Sequence, residues 1–279
     1  MNRPIEAPGS AATPDDDAGV LAVVLQSARL VALGVPHGFS TRLGGVSTGP
    51  FATLNLALAP GDDPAAVATN LARFSRAIGV PAGRLVQTSQ VHGATVRVVG
   101  AGDDPQTVVR EEADALVSRD PEVPIGVRVA DCVPILLLDE RTGHVAAVHA
   151  GWRGVVGGVL ASAVVTLIDH AAGRPRLTAA IGPCIGPCCF EVGDEVAVQL
   201  ADAAPGDGAV VLRNRADGAK PHVDLRRAVR LQLRALGVDD GSIEDVAGCT
   251  RCDSERFFSF RRDGARSGRH IAAIAPASR

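Results

Sequence analysis

The chain is nearly without lysine and methionine. Lys220 is the only lysine, Met1 the only methionine, and arginine carries almost all of the positive charge. With so much alanine, glycine and valine, that bias reflects coding in a GC-rich genome rather than selection at a site. No apolar run reaches the roughly 18–20 residues that span a bilayer, and no hydrophobic secretory segment is visible. The net charge of −3 leaves no basic field for nucleic acid or an anionic membrane. No internal repeat divides the 279 residues. Residues 1–19 hold Pro4, Pro8, Pro14 and three successive aspartates with almost no large apolar side chain. Such a segment cannot offset its ordering entropy, so it reads as a disordered tail. One compact unit is expected from residue 20 to 279.

What is abundant is apolar: 46% of the chain is hydrophobic. The densest stretch is Val129–Gly154. It reads as two strands, Ile135–Leu138 and Val145–Val148, joined by a turn at Gly143. Cys132 stands just before the first and His149 just after the second. An antiparallel hairpin would bring both to one edge of the sheet, as a metal site or a nucleophilic site requires. A buried cysteine and a core histidine would leave the same pattern.

Other elements follow in order. Val23–Leu25 and Leu30–Ala32 read as short strands. Residues 37–58 form a Gly-rich loop in which Arg42, the only charge, could meet a phosphate, and Asn55 could serve substrate or a turn. Asp62-Asp63-Pro64 opens a helix whose apolar face is Val67, Leu71, Phe74 and Ile78. Residues 85–99 read as two strands around a break at His92-Gly93. Ala113–Ser118 and Ile125–Val129 are short strands, Gly157–Asp169 a helix, Gly193–Leu200 a short helix, Pro205–Gly218 a polar loop and Leu225–Leu236 an amphipathic helix. Phe257–Asp263 reads as a strand ending in Arg261 and Arg262, either of which could close an anion pocket.

His92 completes a His/Cys/His set with Cys132 and His149. Three protein ligands with an open fourth position are the pattern of a catalytic zinc. Asp131, beside Cys132, could orient a ligand, move a proton or simply close a turn. The six cysteines suit a reduced, cytoplasmic setting better than a disulfide framework. Cys184, Cys188 and Cys189 with Cys249 and Cys252 could also form a structural zinc site of the C-x3-C plus C-x2-C type.

QVHG (90–93), ADCVP (130–134), HAGWRG (149–154), IGPCIGPCCFEVG (181–193) and FFSFRRD (257–263) occur in the order found in the YfiH, or laccase-domain, family. FSTRLGGVS (39–47) and SGRH (267–270) fit as well, so the resemblance covers nearly everything after residue 35. Its members are also called peptidoglycan editing factor, polyphenol oxidase or purine nucleoside phosphorylase. The resemblance implies an α+β fold, a single domain with mixed β-sheets flanked by helices as in the YfiH-like cysteine hydrolase fold. It implies zinc on His92, Cys132 and His149, with copper possible there. It also implies phosphorolysis of adenosine, inosine or methylthioadenosine, with adenosine deamination beside it. Phe260 stands where tyrosine is usual, so that hydroxyl is dispensable here.

Ligand supply excludes a four-copper oxidase. The seven histidines include no His-X-His pair, and no methionine but Met1 could serve as an axial ligand. The zinc-deaminase signature, H-x-E with P-C-x-x-C, is missing too. The expected roles are Cys132, His149 and Asp131 in catalysis, and Arg42, Asn55 and Arg261 toward purine nucleoside and phosphate, in a monomer or weak homodimer. Two rivals remain. One is a cysteine amidase acting on peptidoglycan precursors through Cys132 and His149. The other is a metal-binding protein without turnover.

Overall fold

In the computed structural model, residues 22–58, 61–168, 175–206, 209–212 and 219–277 are described. The expected tail at 1–19 lies outside them. Two sheets face each other. The larger has six strands in the order Ile243–Asp245, Leu177–Ile181, Val133–Asp139, Val145–Ala150, Ala115–Ser118 and Val96–Val99. Its two outermost pairings are parallel and its inner ones antiparallel. The smaller sheet runs Val24–Leu25, His37–Ser40, His270–Ile274 and Ile125–Val129, antiparallel throughout.

The continuous apolar run of the central hairpin is explained by cover on both faces. Alternate residues point opposite ways. Ile135 and Leu137 join Val148 beneath the helices Val159–Ile168 and Leu225–Ala235. Leu136, Leu138, Val145 and Ala147 meet Ile125, Val127, Ala272 and Phe39 of the smaller sheet. The smaller sheet's other face, Ile271 and Ala273, packs on Phe74 of the helix Pro64–Ala77 and on Ile78, which caps it. Helix, sheet, sheet and helices therefore stack around three apolar interlayers, the mixed α+β single domain that was expected. No helix among the described residues is long and apolar enough to cross a membrane.

Three local expectations are corrected. Leu30–Ala32 belongs to the helix Ala28–Ala32. The Ser27 hydroxyl caps Leu30 N, and the Glu244 carboxylate accepts from the amides of Ala28 and Arg29, which satisfies a helix N-terminus. Phe257–Asp263 is not a strand. Ser259 caps a single helical turn, Phe260–Asp263, by accepting from Arg262 N. Of the two strands read in 85–99, only Val96–Val99 forms. The preceding segment makes isolated bridges at Val86 and Ser89, and the Gln90 side chain bonds both backbone groups of Arg128 in place of a strand neighbour. The helix read as Gly157–Asp169 is described as Val159–Ile168, and Asp169 lies outside the described residues.

Candidate metal centre

The hairpin does what its sequence implied. Val133 pairs with Ala150 and Pro134 with His149, so Cys132 and His149 meet at one sheet edge, far from the Gly143 turn. His92 arrives from the neighbouring loop. Its Nε2 lies 3.7 Å from Cys132 Sγ, and its ring meets that of His149 edge-on at 4.8 Å. One ligand atom from each of the three residues falls within 4.8 Å of the others.

A buried carboxylate organises the set. Asp114 is fully buried. Its Oδ1 accepts from His149 Nδ1 at 2.7 Å and from His92 N at 2.9 Å. Its Oδ2 accepts from Gly93 N at 2.7 Å and Val91 N at 3.2 Å. The contact at His149 Nδ1 fixes the tautomer and turns Nε2 toward Cys132, the usual support of a metal-bound imidazole. Burial works against the Asp114 charge, but the His149 and Gly93 hydrogen bonds outweigh it and hold the group below the ordinary carboxylate range.

The thiol and imidazole perturb each other. Burial pushes Cys132 up, yet the charge and hydrogen bonds of His149 and His92 bring it down to about 6. Burial pushes His149 down, yet Cys132 and Asp114 raise it to about 9. Both shifts favour thiolate and imidazolium when no cation is bound. A bound metal replaces that proton, because its ligands must be deprotonated.

The backbone is strained on both sides of the thiolate. His92 has φ 62° and Asp131 φ 92°, a region that non-glycine residues seldom occupy. Asp114 holds the first by taking three successive amides. The second is held by the Asp131 carboxylate itself, which accepts from Thr250 Oγ1 and Arg261 N, both at 2.6 Å. Gly151 leaves the space between the ligands. A Cβ there would come within 2.6 Å of His92 Cδ2 and 3.2 Å of Cys132 Sγ.

The three ligands sit at the wall of a cavity of about 590 Å³, within the usual range for small-molecule sites. Asp131 and Arg261 line it as well. Arg261 donates to Glu191 O at 2.9 Å and lies 5.5 Å above the Phe190 ring. Arg42 and Asn55 are not among the lining residues. The Arg42 guanidinium donates to Ala52 O and Ser254 O and stacks 4.5 Å above Phe258. Asn55 is fully buried, and its Oδ1 accepts from Arg269 N at 2.9 Å, so it positions an arginine that does line the cavity.

Asp114, Arg128 and Arg269 went unread in the sequence. Arg128 and Arg269 face the cavity, where burial first, and then each other's charge for Arg128, lowers their pKa values. The available signals were weak: one carboxylate heading the apolar strand Ala115–Ser118, and one arginine inside the apolar strand Ile125–Val129.

The donor set suits a borderline-soft ion such as zinc or copper: two imidazoles, one thiolate, an oriented carboxylate behind one imidazole, and a side open to the cavity. Among the described residues, the histidines that could share a metal gather only here.

Comparison with known proteins agrees with this architecture. Residues 36–277 match the family described as multi-copper polyphenol oxidoreductase laccase. A purine nucleoside phosphorylase of Mycobacterium tuberculosis is 40% identical over 235 residues, 84% of this chain and 89% of that protein. A protein named adenosine deaminase RL5, from an unknown prokaryotic organism, is 40% identical over 244 residues, 85% of this chain and 93% of its own length. Among solved structures, YlmD of Geobacillus stearothermophilus superposes with a TM-score of 0.81 at 35% identity, covering 92% of this chain and all of that one. Bacillus licheniformis YfiH gives 0.80 at 30% identity, covering 87% and 92%. The fold, the matched span and these likenesses together place the chain in the laccase-like YfiH family.

Proposed function

We propose that the protein is a zinc-dependent purine nucleoside phosphorylase that converts adenosine, inosine or methylthioadenosine and phosphate to free base and the ribose 1-phosphate, with adenosine deamination as a side activity. The carrying observation is the juxtaposition of His92, Cys132 and His149 with the cavity-lining Arg128, Arg261 and Arg269. The names of relatives at 40% identity support the same reading.

The three arginines would bind and orient phosphate through charge-assisted hydrogen bonds. Phe190, Phe260 and Trp152 line the same cavity and offer apolar faces to a purine. A phosphate oxygen then bonds to C1′ as the C1′–N9 bond breaks. The electron pair leaves with the base, and the sugar passes through an oxocarbenium-like state. Zinc on His92, Cys132 and His149 would supply Lewis-acid stabilisation of negative charge next to that sugar. Asp114 keeps His149 in the metal-binding tautomer. We assign Asp131 to positioning, since its two carboxylate oxygens already hold Thr250 and the Arg261 amide. Deamination would place water rather than phosphate in the same cavity.

One arrangement favours a second reading. Cys132, His149 and Asp114 also have the order of a nucleophile, a base and an orienting carboxylate, which would suit a cysteine amidase acting on peptidoglycan precursors. The two readings part on metal content measured with phosphate-dependent release of base from adenosine, before and after chelation. Zinc-dependent release that disappears in Cys132→Ala supports the phosphorylase. Unchanged phosphorolysis by Cys132→Ala sinks it, and an amidase that works in chelator and dies on alkylation of Cys132 replaces it.

A further inference from the structure

Two adjoining loops, one of which lines the cavity through Ile185 and Phe190, carry four cysteines in reach of a single ion. Cys188 and Cys189 lie in the turn after Gly186-Pro187. Cys249 and Cys252 lie in the turn after Gly248. Sγ separations are 3.6 Å for Cys188–Cys249, 3.5 Å for Cys188–Cys252 and 3.2 Å for Cys189–Cys252. All four sulfurs fall within 4.8 Å of one another. None is bonded to another, since a disulfide holds its sulfurs near ~2.05 Å. Four thiolates at about 2.3 Å around a tetrahedral zinc stand about 3.8 Å apart; the three separations above are slightly shorter than that, and no pair exceeds 4.8 Å.

Burial does not account for the cluster. A free cysteine is ordinarily a small buried apolar residue, yet of the four only Cys189 is buried, while Cys188 and Cys252 are exposed and Cys249 is half-buried. Cys184 lies outside the quartet, although spacing alone would have chosen it over Cys189. It is fully buried and packs beside Arg226. The backbone is also arranged for sulfur as an acceptor. Gly186 N–H donates to Cys249 Sγ at 3.2 Å, and the Cys252 amide is directed at the same atom across the C-x-x-C turn. Amide donors of this kind orient and support a ligating thiolate.

We propose that Cys188, Cys189, Cys249 and Cys252 form a tetrathiolate site for one structural zinc ion, separate from the His92/Cys132/His149 centre, which staples these two loops together. Between those loops the main chain supplies little: Cys184 N donates to Gly248 O at 3.3 Å and Thr250 N to Cys184 O at 3.0 Å. Much depends on their alignment. The first loop carries Ile185 and Phe190 to the cavity, and the second carries Thr250, which holds Asp131. Arg262 donates to Thr250 O and Arg251 O and so ties the Arg261 turn to the same staple. A soft, four-sulfur set with no open position suits a structural ion rather than a reactive one.

The test is metal stoichiometry in the full chain, purified in reductant without chelator. Wild type, Cys132→Ala/His149→Ala and Cys249→Ser/Cys252→Ser are compared by elemental analysis. Two zinc ions per chain in wild type and one in each double variant is the expected result. Exchange of cobalt into Cys132→Ala/His149→Ala should give intense sulfur-to-cobalt charge transfer with tetrahedral d–d bands. No bound metal in that variant, or cobalt without those bands, overturns the site. If instead the first centre is the one without metal, wild type carries one ion and loses it only in Cys249→Ser/Cys252→Ser, so failure of the two readings is told apart. The wild-type thiols give a check that needs no substitution. The exposed Cys188 and Cys252 should resist a thiol reagent in the native protein and react once a chelator is added, without reductant. Prompt reaction in untreated protein, or protection that only reductant removes, refutes the staple.

Discussion

Replacing Asp114 by asparagine keeps the shape of the side chain and removes only its ability to accept on both sides. In the structure Oδ1 faces His92 N and His149 Nδ1, while Oδ2 faces the amides of Val91 and Gly93. If the new NH₂ takes the Oδ2 side, two part-buried backbone donors lose their acceptor. At about 1–3 kcal/mol for each orphaned group, the fold loses roughly 2–6 kcal/mol. If it takes the Oδ1 side, His92 N is orphaned, and His149 can accept at Nδ1 only by carrying its proton on Nε2. That is the atom that faces Cys132, so the ligand is blocked. Loss of such a supporting carboxylate lowers metal affinity about 10–100-fold, or about 1.4–2.7 kcal/mol. Zinc affinity measured by competition with a chromophoric chelator, alongside the thermal midpoint with and without zinc, reads both effects. The asparagine variant should bind zinc more weakly and gain less stability from it than wild type. Affinity and stability both unchanged would refute the role given to Asp114, because one orientation of the amide must cost stability and the other metal binding.

Two further outcomes follow from particular side chains. Arg269→Gln should raise the KM for phosphate about 10–100-fold, the worth of about 1.5–3 kcal/mol in hydrogen bonds to a charged group, while Arg42→Gln leaves it unchanged, because Arg42 does not line the cavity; steady-state kinetics in which Arg42→Gln alone loses phosphate reverses the assignment. His270 is buried with Phe258 N donating to its Nε2, and burial holds its pKa down to about 3. As pH falls, the unfolded chain takes up this proton first, near its usual ~6.5, so the stabilisation is complete above that value and is lost progressively toward pH 3. The slope is about 1.4 kcal/mol per pH unit, or about 2 kcal/mol from pH 6.5 to 5. Urea unfolding at pH 7.5 and 5 should show that difference shrink in His270→Gln, and an equal pH dependence in both proteins would contradict a neutral buried imidazole.

The central hairpin was legible because its information is local. An apolar run, a turn glycine and another run set the register, and the register alone carries Cys132 and His149 to one edge. The helix Pro64–Ala77 was legible for the same reason, since Asp63, Pro64 and the spacing of its apolar face are near neighbours in sequence. Leu30–Ala32 and Phe257–Asp263 were misread because what makes them helical lies elsewhere or is slight. Glu244, more than 200 residues away, satisfies the first helix's amides, and one serine hydroxyl turns the second.

The sequence by itself determined the ligand inventory and the exclusion of a four-copper oxidase, because composition bounds what a chain can ligate, while the α+β fold class was implied by the ordered motifs that resemble a known family. Only the tertiary structure decided which charges line the cavity. Arg42 looked suited to an anion beside its glycines, but it lies outside the lining, held at Ala52 O and Ser254 O. Arg128 and Arg269 looked like strand and loop residues until antiparallel pairing of Ile125–Val129 with His270–Ile274 set them side by side at the cavity. The choice of Cys189 over Cys184 was settled in the same way. Spacing names the residues that could converge, whereas the direction of each side chain is fixed by the loops and sheets packed around it.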